Sequence, residues 1–396
     1  MRKLIIWLQV VALAFFACNS QLDDKKLLLT AKIDSLGQLY RQNFVWNYQI
    51  TDKEGNLVIH LETDLSSGFN QLKDEINENF PGVELQAKLL SKGKSKEAVY
   101  GIINISTGNI RKAPKHWAEL VTQEVMGTPV KVLKTEDSWL LVKTPSGYEG
   151  WIDSPGVSIR TEDQMKTLSG HSFIVYELNY GQIYKTVSKQ ETISDLTLGS
   201  TLLMTGKTGN YFSVQLPDGR TGFVEKDGFK DFKSLFNVKK IDTVQMVKMA
   251  KTLVGVSYLW GGKSSKAIDC SGLTSLLYFF QGIILQRDAS QQVKNGELIS
   301  DALKVKNLKT GDLLFFGKHA TDSLPERASH VAFYIGNGKI IHASGMVKIS
   351  SLYKDQPDFE TRYFNAFLKV RRIINSVGQP GIQRINDNEL YKFYIK

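Results

Sequence analysis

Cysteine occurs twice in this chain of 396 residues, at Cys18 and Cys270, and histidine six times. Cys270 lies in YLWGGKSSKAIDCSGLTSLLYFF, where a loop of Gly, Ser and Lys gives way to a helical run. A thiol at a helix start meets unpaired N–H groups and the positive end of the helix dipole, and both favour a thiolate. Such a sulfur is a nucleophile once a base is at hand. His330 and His342 bound HVAFYIGNGKIIH, which reads as a hairpin turning at Asn337-Gly338. A strand histidine beside a helix-start cysteine supplies the base, and a polar group on its second ring nitrogen orients it. His342 is the candidate for that group. The competing reading is an inert buried thiol with two sheet histidines. One Cys and two His without a carboxylate cluster do not fit zinc spacing, so no metal and no cofactor is expected. His319 reads as a rim residue in a polar loop, and His60, His116 and His171 as structural or exposed.

The two histidines can cooperate only from one face of the sheet. A two-residue loop at Asn337-Gly338 without a bulge would set His342 opposite Phe333, on the wrong face. One extra residue restores the common face. The reading therefore requires an odd-length loop or a bulge at 336–339.

These residues need a scaffold. IDTVQMVKMAKTLVG carries Ile241, Val244, Val247, Ala250 and Val254 as a helical stripe. In the Cys270 helix, Leu273, Leu276, Leu277 and Phe280 share a core-facing side. GDLLFFG (311–317) reads as a buried strand. Helices first and an antiparallel sheet after them give an α+β domain over 238–375. Residues 376–396 read as a polar tail outside it.

Upstream there is an internal repeat. VKVLKTEDSWLLVKTPSGYEGWI (130–152) aligns without gaps to LLMTGKTGNYFSVQLPDGRTGFV (202–224), an offset of 72 residues. Val142 matches Val214, Pro145 matches Pro217, Gly147 matches Gly219 and Gly150 matches Gly222. Trp139 pairs with Tyr211 and Trp151 with Phe223. Short β runs separated by a Pro-x-Gly turn predict two small all-β barrels, at 98–165 and 170–232. Trp139 and Trp151 read first as barrel core. Residues 24–97 hold a helix-like run (KLLLTAKIDSLGQLY), a hairpin around Glu54-Gly55-Asn56 and an amphipathic helix (GFNQLKDEINENF), a small α+β domain.

The chain opens with MRKLIIWLQVVALAFFAC, two cations followed by an uncharged apolar run. That is the layout of an export signal, too short for a comfortable membrane span. Residues 1–18 read as a signal peptide with a lipobox, Cys18 becoming the lipidated first residue. If so, Cys270 is the one thiol left and has no disulfide partner within the chain. Periplasm or cell envelope is then the expected location. The net charge of +10 comes without a long basic block or a nucleic-acid motif. It suits an anionic envelope better than nucleic acid.

DCSG at a helix start, LQRDASQQ, GDLLFF and SHVAFYIGNGKIIHAS, in that order between residues 269 and 344, resemble the NlpC-type cysteine peptidases of bacterial cell walls. The barrels, ending in YEGWI and RTGFV, resemble bacterial SH3-like domains. The combination is most similar to the γ-D-glutamyl-L-diamino acid endopeptidases. The resemblance implies a multidomain chain: a small α+β domain, two all-β SH3-like barrels and an α+β papain-like cysteine peptidase domain. It implies Cys270 as nucleophile, His330 as base and His342 as orienting residue. Tyr258 matches an oxyanion position, and Asp269, Ser271, Asp288 and Ser290 match substrate contacts. Glu119 and Tyr148 are candidates for reading the free amine of an N-terminal L-Ala, with Glu124 close by as a rival. The implied activity is cleavage between γ-D-Glu and a diamino acid in peptidoglycan peptides by a monomer without nucleic-acid partners. The alternatives are an inactive wall-binding lipoprotein, or an amidase or acyltransferase on the same fold.

Overall fold

The structure is a computed structural model describing residues 22–37, 46–53, 55–63, 66–89 and 99–395. The export signal and Cys18 lie outside the described residues. The chain divides into two compact units, 1–96 and 97–396.

In the first unit, helices 22–37 and Ser66–Asn79 accompany a sheet of Trp46–Lys53, Asn56–Thr63 and Glu84–Leu89. Lys53 faces Asn56, so the first two strands pair as the expected hairpin. The third strand runs parallel to the second. Leu29, Ile33, Trp46, Ile59, Leu61 and Leu72 form its core.

The second unit begins with two seven-stranded sheets, one between 99 and 161 and one between 173 and 231. The 72-residue repeat holds at the level of register. Lys131 faces Lys143 and Val142 faces Gly150 in one copy. Leu203 faces Gln215 and Val214 faces Gly222 in the other. Both hairpins carry a bulge at the same place, between Val132 and Lys134 and between Met204 and Gly206. Val130, Val142 and Ile152 are buried in one copy, and Leu202, Val214 and Val224 in the other. At Gly150 a Cβ would lie 2.8 Å from the Arg111 carbonyl oxygen, and at Gly222 2.7 Å from that of Tyr184. Only glycine lets the strand pass so close. Trp139 is core, as expected, whereas Trp151 is half-buried with Lys134 Nζ 5.6 Å above its ring.

The remaining part packs helices Thr243–Thr252 and Cys270–Phe279 with a six-stranded sheet. Its strand order is Glu297–Ser300, Phe367–Arg372, Leu313–Lys318, Arg327–Gly336, Lys339–Ser344, Met346–Ser351. Leu313 and Phe315 enter the main core, and Leu314 and Phe316 a second cluster across the sheet. Burial on both faces explains the unbroken apolar run of this strand. Leu273, Leu276, Leu277 and Phe280 are buried as expected. The stripe on the earlier helix holds in part: Ala250 is buried and Ile241 and Val247 pack on the main core, whereas Val244 and Val254 are exposed. Met246, Met249 and Leu253 complete the buried face, the methionines filling irregular space.

The tail is also corrected. Ile382–Arg384 pairs with Ile283–Leu285. Tyr391, Phe393 and Tyr394 then join the main core, which also holds Ile102 and Phe173 from the two seven-stranded sheets. Tyr394 stacks on Phe173 at 4.3 Å and donates to the Gly127 carbonyl at 2.8 Å. Asn388 Nδ2 reaches the Pro145 carbonyl at 2.9 Å. The α+β part and both sheets thus share one core, sealed by the last residues. Removing a buried aromatic ring costs about 3–5 kcal/mol. Tyr394→Ala should lower the urea unfolding free energy by about that much, with Tyr394→Phe losing about 1 kcal/mol for the hydroxyl alone. Wild-type stability in the alanine variant would mean the tail is not part of the core.

Candidate active site

Asp269 caps the helix that Cys270 opens: its side chain accepts from the Gly272 N–H at 2.7 Å. The loop before it is held from both seven-stranded sheets. Gln123 Oε1 accepts from the Lys263 N–H and from Ser264 Oγ, each at 3.1 Å. Lys263 Nζ pairs with Glu124 at 2.8 Å. Lys266 Nζ reaches Ser106 Oγ at 2.8 Å and Asp195 at 2.6 Å, and Ser265 Oγ donates to the Asn179 carbonyl. Gly261 adopts φ +76°, and a Cβ there would sit 2.5 Å from the Leu120 carbonyl oxygen. The backbone needs glycine at that point.

A residue the sequence reading passed over, Arg287, ties these parts together. It is 1% exposed. Its Nη1 and Nη2 donate to Asp269 at 3.0 and 2.7 Å, Nη1 also to Ser271 Oγ at 2.9 Å. Nη2 reaches the Gly262 carbonyl at 3.2 Å, and Nε reaches Thr122 Oγ1 at 2.8 Å. The Asp269 carboxylate also accepts from the Gly261 N–H at 3.0 Å. It has about four lone-pair sites, and Arg287, Gly261, Gly272 and Ser271 use them. Asp269 borders the cavity described below, but its oxygens hold the loop and helix together. Ser271 borders the same cavity and is likewise engaged by Arg287.

The histidines come together as the parity condition required. Asn337 and Gly338 take φ +52° and +68°, a two-residue turn of the mirror-image type. A bulge at Ile335, between the pairs Tyr334–Ile340 and Gly336–Lys339, adds the extra residue. It lies one position before the window named from sequence. His330 Nε2 and His342 Nδ1 are 2.8 Å apart. The chain continues beyond the sequence reading: His342 Nε2 to Ser350 Oγ at 3.0 Å, and Ser350 Oγ to Glu360 at 2.7 Å. Lys348 Nζ pairs with Glu360 at 2.8 Å. Tyr363, also missed, stacks on His330 at 4.5 Å and meets His342 edge-on at 4.8 Å.

The strand bearing His330 lies over the Cys270 helix start, and the Val331 and Ser271 N–H groups reach the sulfur. Burial nevertheless pushes the Cys270 thiol up to about 12, with Asp269 adding to it and Arg287 opposing. Burial, His342 and the cations Arg362 and Lys348 hold His330 well below its ordinary value. Burial lowers His342 to about 4 against the pull of Glu360. The helix-start preference for an anion is thus outweighed by desolvation. Burial disfavours the charged form of both the Cys270 thiol and the His330 imidazole.

Cys270, Tyr258, Asp288, Ser290, Glu119 and Tyr148 line one cavity of about 190 Å³. Glu119 and Tyr148 lie just before two strands of the first seven-stranded sheet, Leu120–Val125 and Glu149–Asp153. Tyr148 donates to Asp288 Oδ2 at 3.0 Å, and burial and Asp288 raise its pKa. Burial also raises the Asp288 carboxyl. Glu119 accepts from Trp260 Nε1 at 3.0 Å. Trp260 is another lining residue without a sequence signal beyond YLWGG. Glu124 is buried with Lys263 and lies outside this cavity, so of the two rivals the geometry selects Glu119. Tyr258 also borders a second cavity, with His330; burial and Cys270 push its phenol up to about 12. His319 lies exposed in its loop, His60 bonds Thr51 at 3.0 Å and His116 packs on Trp139 at 5.0 Å.

Residues 255–366 match the NlpC/P60 family, and residues 106–158 match the bacterial SH3 domain. The chain carries an NlpC/P60 cysteine peptidase domain. It is 27% identical over 233 residues to a γ-D-glutamyl-L-lysine dipeptidyl-peptidase of Bacillus cereus, covering 57% of this chain and 67% of that one. It is 28% identical over 267 residues to dipeptidyl-peptidase 6 of Lysinibacillus sphaericus, covering 65% and 93%. The crystal structure of an NlpC/P60 family protein from Bacillus cereus superposes with a TM-score of 0.59 at 22% identity, over 69% of this chain and 99% of that one. That likeness shows the fold. In this domain Cys270 opens a helix and lines a cavity, and His330 and His342 pair on the neighbouring sheet.

Two outcomes follow from the electrostatics of the NlpC/P60 domain. Iodoacetamide should alkylate Cys270 in the free protein at a rate that climbs steadily above pH 7. A plateau already reached at pH 5 would reveal a pre-formed thiolate instead. Unfolded histidines bind protons near pH 6.5, whereas folded His342 resists until about 4. The unfolded chain therefore binds more protons in this window, and stability is lost as pH falls from about 6.5 to about 4. Urea midpoints at pH 7, 5.5 and 4 should show that fall, and His342→Gln should reduce it. An equal fall in the variant would remove the buried imidazole as its cause.

Proposed function

We propose that this protein is a cysteine endopeptidase that cuts the γ-D-Glu–diamino acid bond of peptidoglycan-derived peptides and requires a free N-terminal L-Ala. The observation that carries the reading is the cavity beside Cys270, where Glu119 and Tyr148, each next to a strand of the first sheet, meet Asp288. Two carboxylates at the closed end suit the ammonium of a substrate N-terminus, and the Tyr148 ring can cover the Ala methyl. The names of the relatives, a γ-D-glutamyl-L-lysine dipeptidyl-peptidase and a dipeptidyl-peptidase 6, point the same way.

In this reading Cys270 attacks the γ-carbonyl as its thiol proton passes to His330. His342, braced by Ser350 and Glu360, holds the His330 ring by its Nε2 and leaves Nδ1 for the sulfur. The Cys270 N–H at the first helical turn, where intrahelical acceptors are lacking, and the Tyr258 hydroxyl face the developing oxyanion. The diamino acid leaves with the proton from His330. Water, deprotonated by His330, then opens the thioester and frees L-Ala-γ-D-Glu. Because burial disfavours both charged forms, proton transfer accompanies attack. Ser290, on the cavity rim, is read as a further substrate contact.

We read the second seven-stranded sheet as a second SH3-like domain, on its identical hairpin register and bulge. Domain limits are proposed at 24–97, 98–165 and 170–232, with the peptidase domain at 238–375 extended to take in the tail. The family and the SH3 domain suit an envelope location. From the sequence, we infer export and a lipid anchor at Cys18.

Free L-Ala-γ-D-Glu-diaminopimelate should be hydrolysed by the wild type to L-Ala-γ-D-Glu, and Cys270→Ala should retain less than about one part in a thousand of the rate. N-acetylation of the L-Ala should cost at least about a hundredfold in kcat/KM, an ammonium facing two carboxylates being worth roughly 3 kcal/mol. Equal cleavage of the acetylated peptide would overturn the N-terminal requirement while leaving the peptidase reading intact.

A further inference from the structure

Two cavities, one bordered by Cys270 and the other by His330, share Tyr258 and Ser329 in their linings and differ in charge. The first, toward the proposed N-terminal side, holds the acids Glu119 and Asp288, with Asp269 neutralised by Arg287 and Arg327 at the rim. The second, about 430 Å³ and bordered by His330, Tyr258, Phe316 and Tyr363, has only two charged lining residues, Lys318 and Arg362. Both are cations and both are exposed. Among the described residues neither is paired with a carboxylate; the Arg362 guanidinium lies 5.7 Å from the Tyr363 ring. Other cations around the histidines are spent: Lys348 on Glu360 and Lys369 on Glu326. The acyl part of a substrate fills the first cavity in the proposed reaction, so the second receives the leaving diamino acid.

We propose that Lys318 and Arg362 form a subsite for a side-chain carboxylate on the leaving diamino acid, so that the protein prefers a diaminopimelate-type residue to lysine. This rests on the function proposed above and adds to it the class of diamino acid. Either residue leaves with an α-carboxylate, which one cation can meet. Diaminopimelate brings a second carboxylate on its side chain, matched by the second cation. Lysine instead brings only an ammonium to a cavity with no acid to receive it, where like charges repel. Arg362 can take a carboxylate with two parallel hydrogen bonds, and its stacking on Tyr363 limits the rotamers lost on binding.

The test compares kcat/KM for L-Ala-γ-D-Glu-diaminopimelate, its side-chain amide and L-Ala-γ-D-Glu-L-Lys, in the wild type and in Arg362→Gln and Lys318→Gln. In the wild type the first peptide should exceed each of the others by roughly tenfold or more, chiefly through KM, as expected for a charge-assisted contact. Each substitution should collapse that ratio several-fold. Taking ratios between substrates cancels any common effect of Arg362 on His330. Equal rates for the three peptides in the wild type, a preference for lysine, or a ratio unmoved by either substitution would overturn the subsite. Failure of the wild type to cleave any of them would overturn the proposed function instead.

Discussion

A buried guanidinium governs the geometry of this site. Arg287 loses its hydration in a place from which water is excluded, and a charge so placed persists only with complete compensation. Asp269 supplies the opposite charge. The Gly262 carbonyl, Ser271 and Thr122 take the remaining N–H groups. Because those partners belong to the loop, the helix start and the first seven-stranded sheet, satisfying one cation fixes all three relative to one another. The position of Cys270 follows from that. So does the proximity of Glu119 and Tyr148, which reach the cavity only because the sheet they adjoin is drawn against the loop.

The second constraint is desolvation. The same packing that positions Cys270 and His330 also opposes charging them, raising the thiol and lowering the imidazole. A helix start alone would favour the thiolate; burial reverses that preference. An ion pair formed in advance would need hydration that the site denies it. The His342–Ser350–Glu360 chain ties the His330 ring to one orientation, and in the proposed reaction its distant carboxylate steadies the imidazolium once the proton moves.

Much of the architecture was legible along the chain because it depends on local pattern. The 72-residue repeat showed itself through Pro-x-Gly turns and through Gly150 and Gly222, whose positions tolerate no side chain. The Cys270 helix was readable from its apolar spacing, and the need for a bulge from the parity of His330 and His342. Where two local patterns competed, the sequence was less decisive. The helix at 243–252 kept part of the expected stripe, and the neighbouring elements added the methionines.

By itself the sequence determined which chemistry was possible: one thiol at a helix start, two histidines obliged to share a face, and a repeated β unit ahead of them. Only the tertiary structure decided who stands beside whom. Arg287, Ser350, Glu360 and Tyr363 act over separations for which the chain has no periodic signal, since contacts between distant segments depend on how whole elements pack. The choice of Glu119 over Glu124, five residues apart, was of that kind: one faces the cavity and the other is held by Lys263. The closing tail was missed for a related reason. Tyr391, Phe393 and Tyr394 sit among polar neighbours, and their burial arises against rings far back in the chain, from Tyr100 and Phe173 to Phe232 and Phe279. The state of the thiol, finally, depended on solvent exclusion, a property of the folded surroundings that a short motif does not encode.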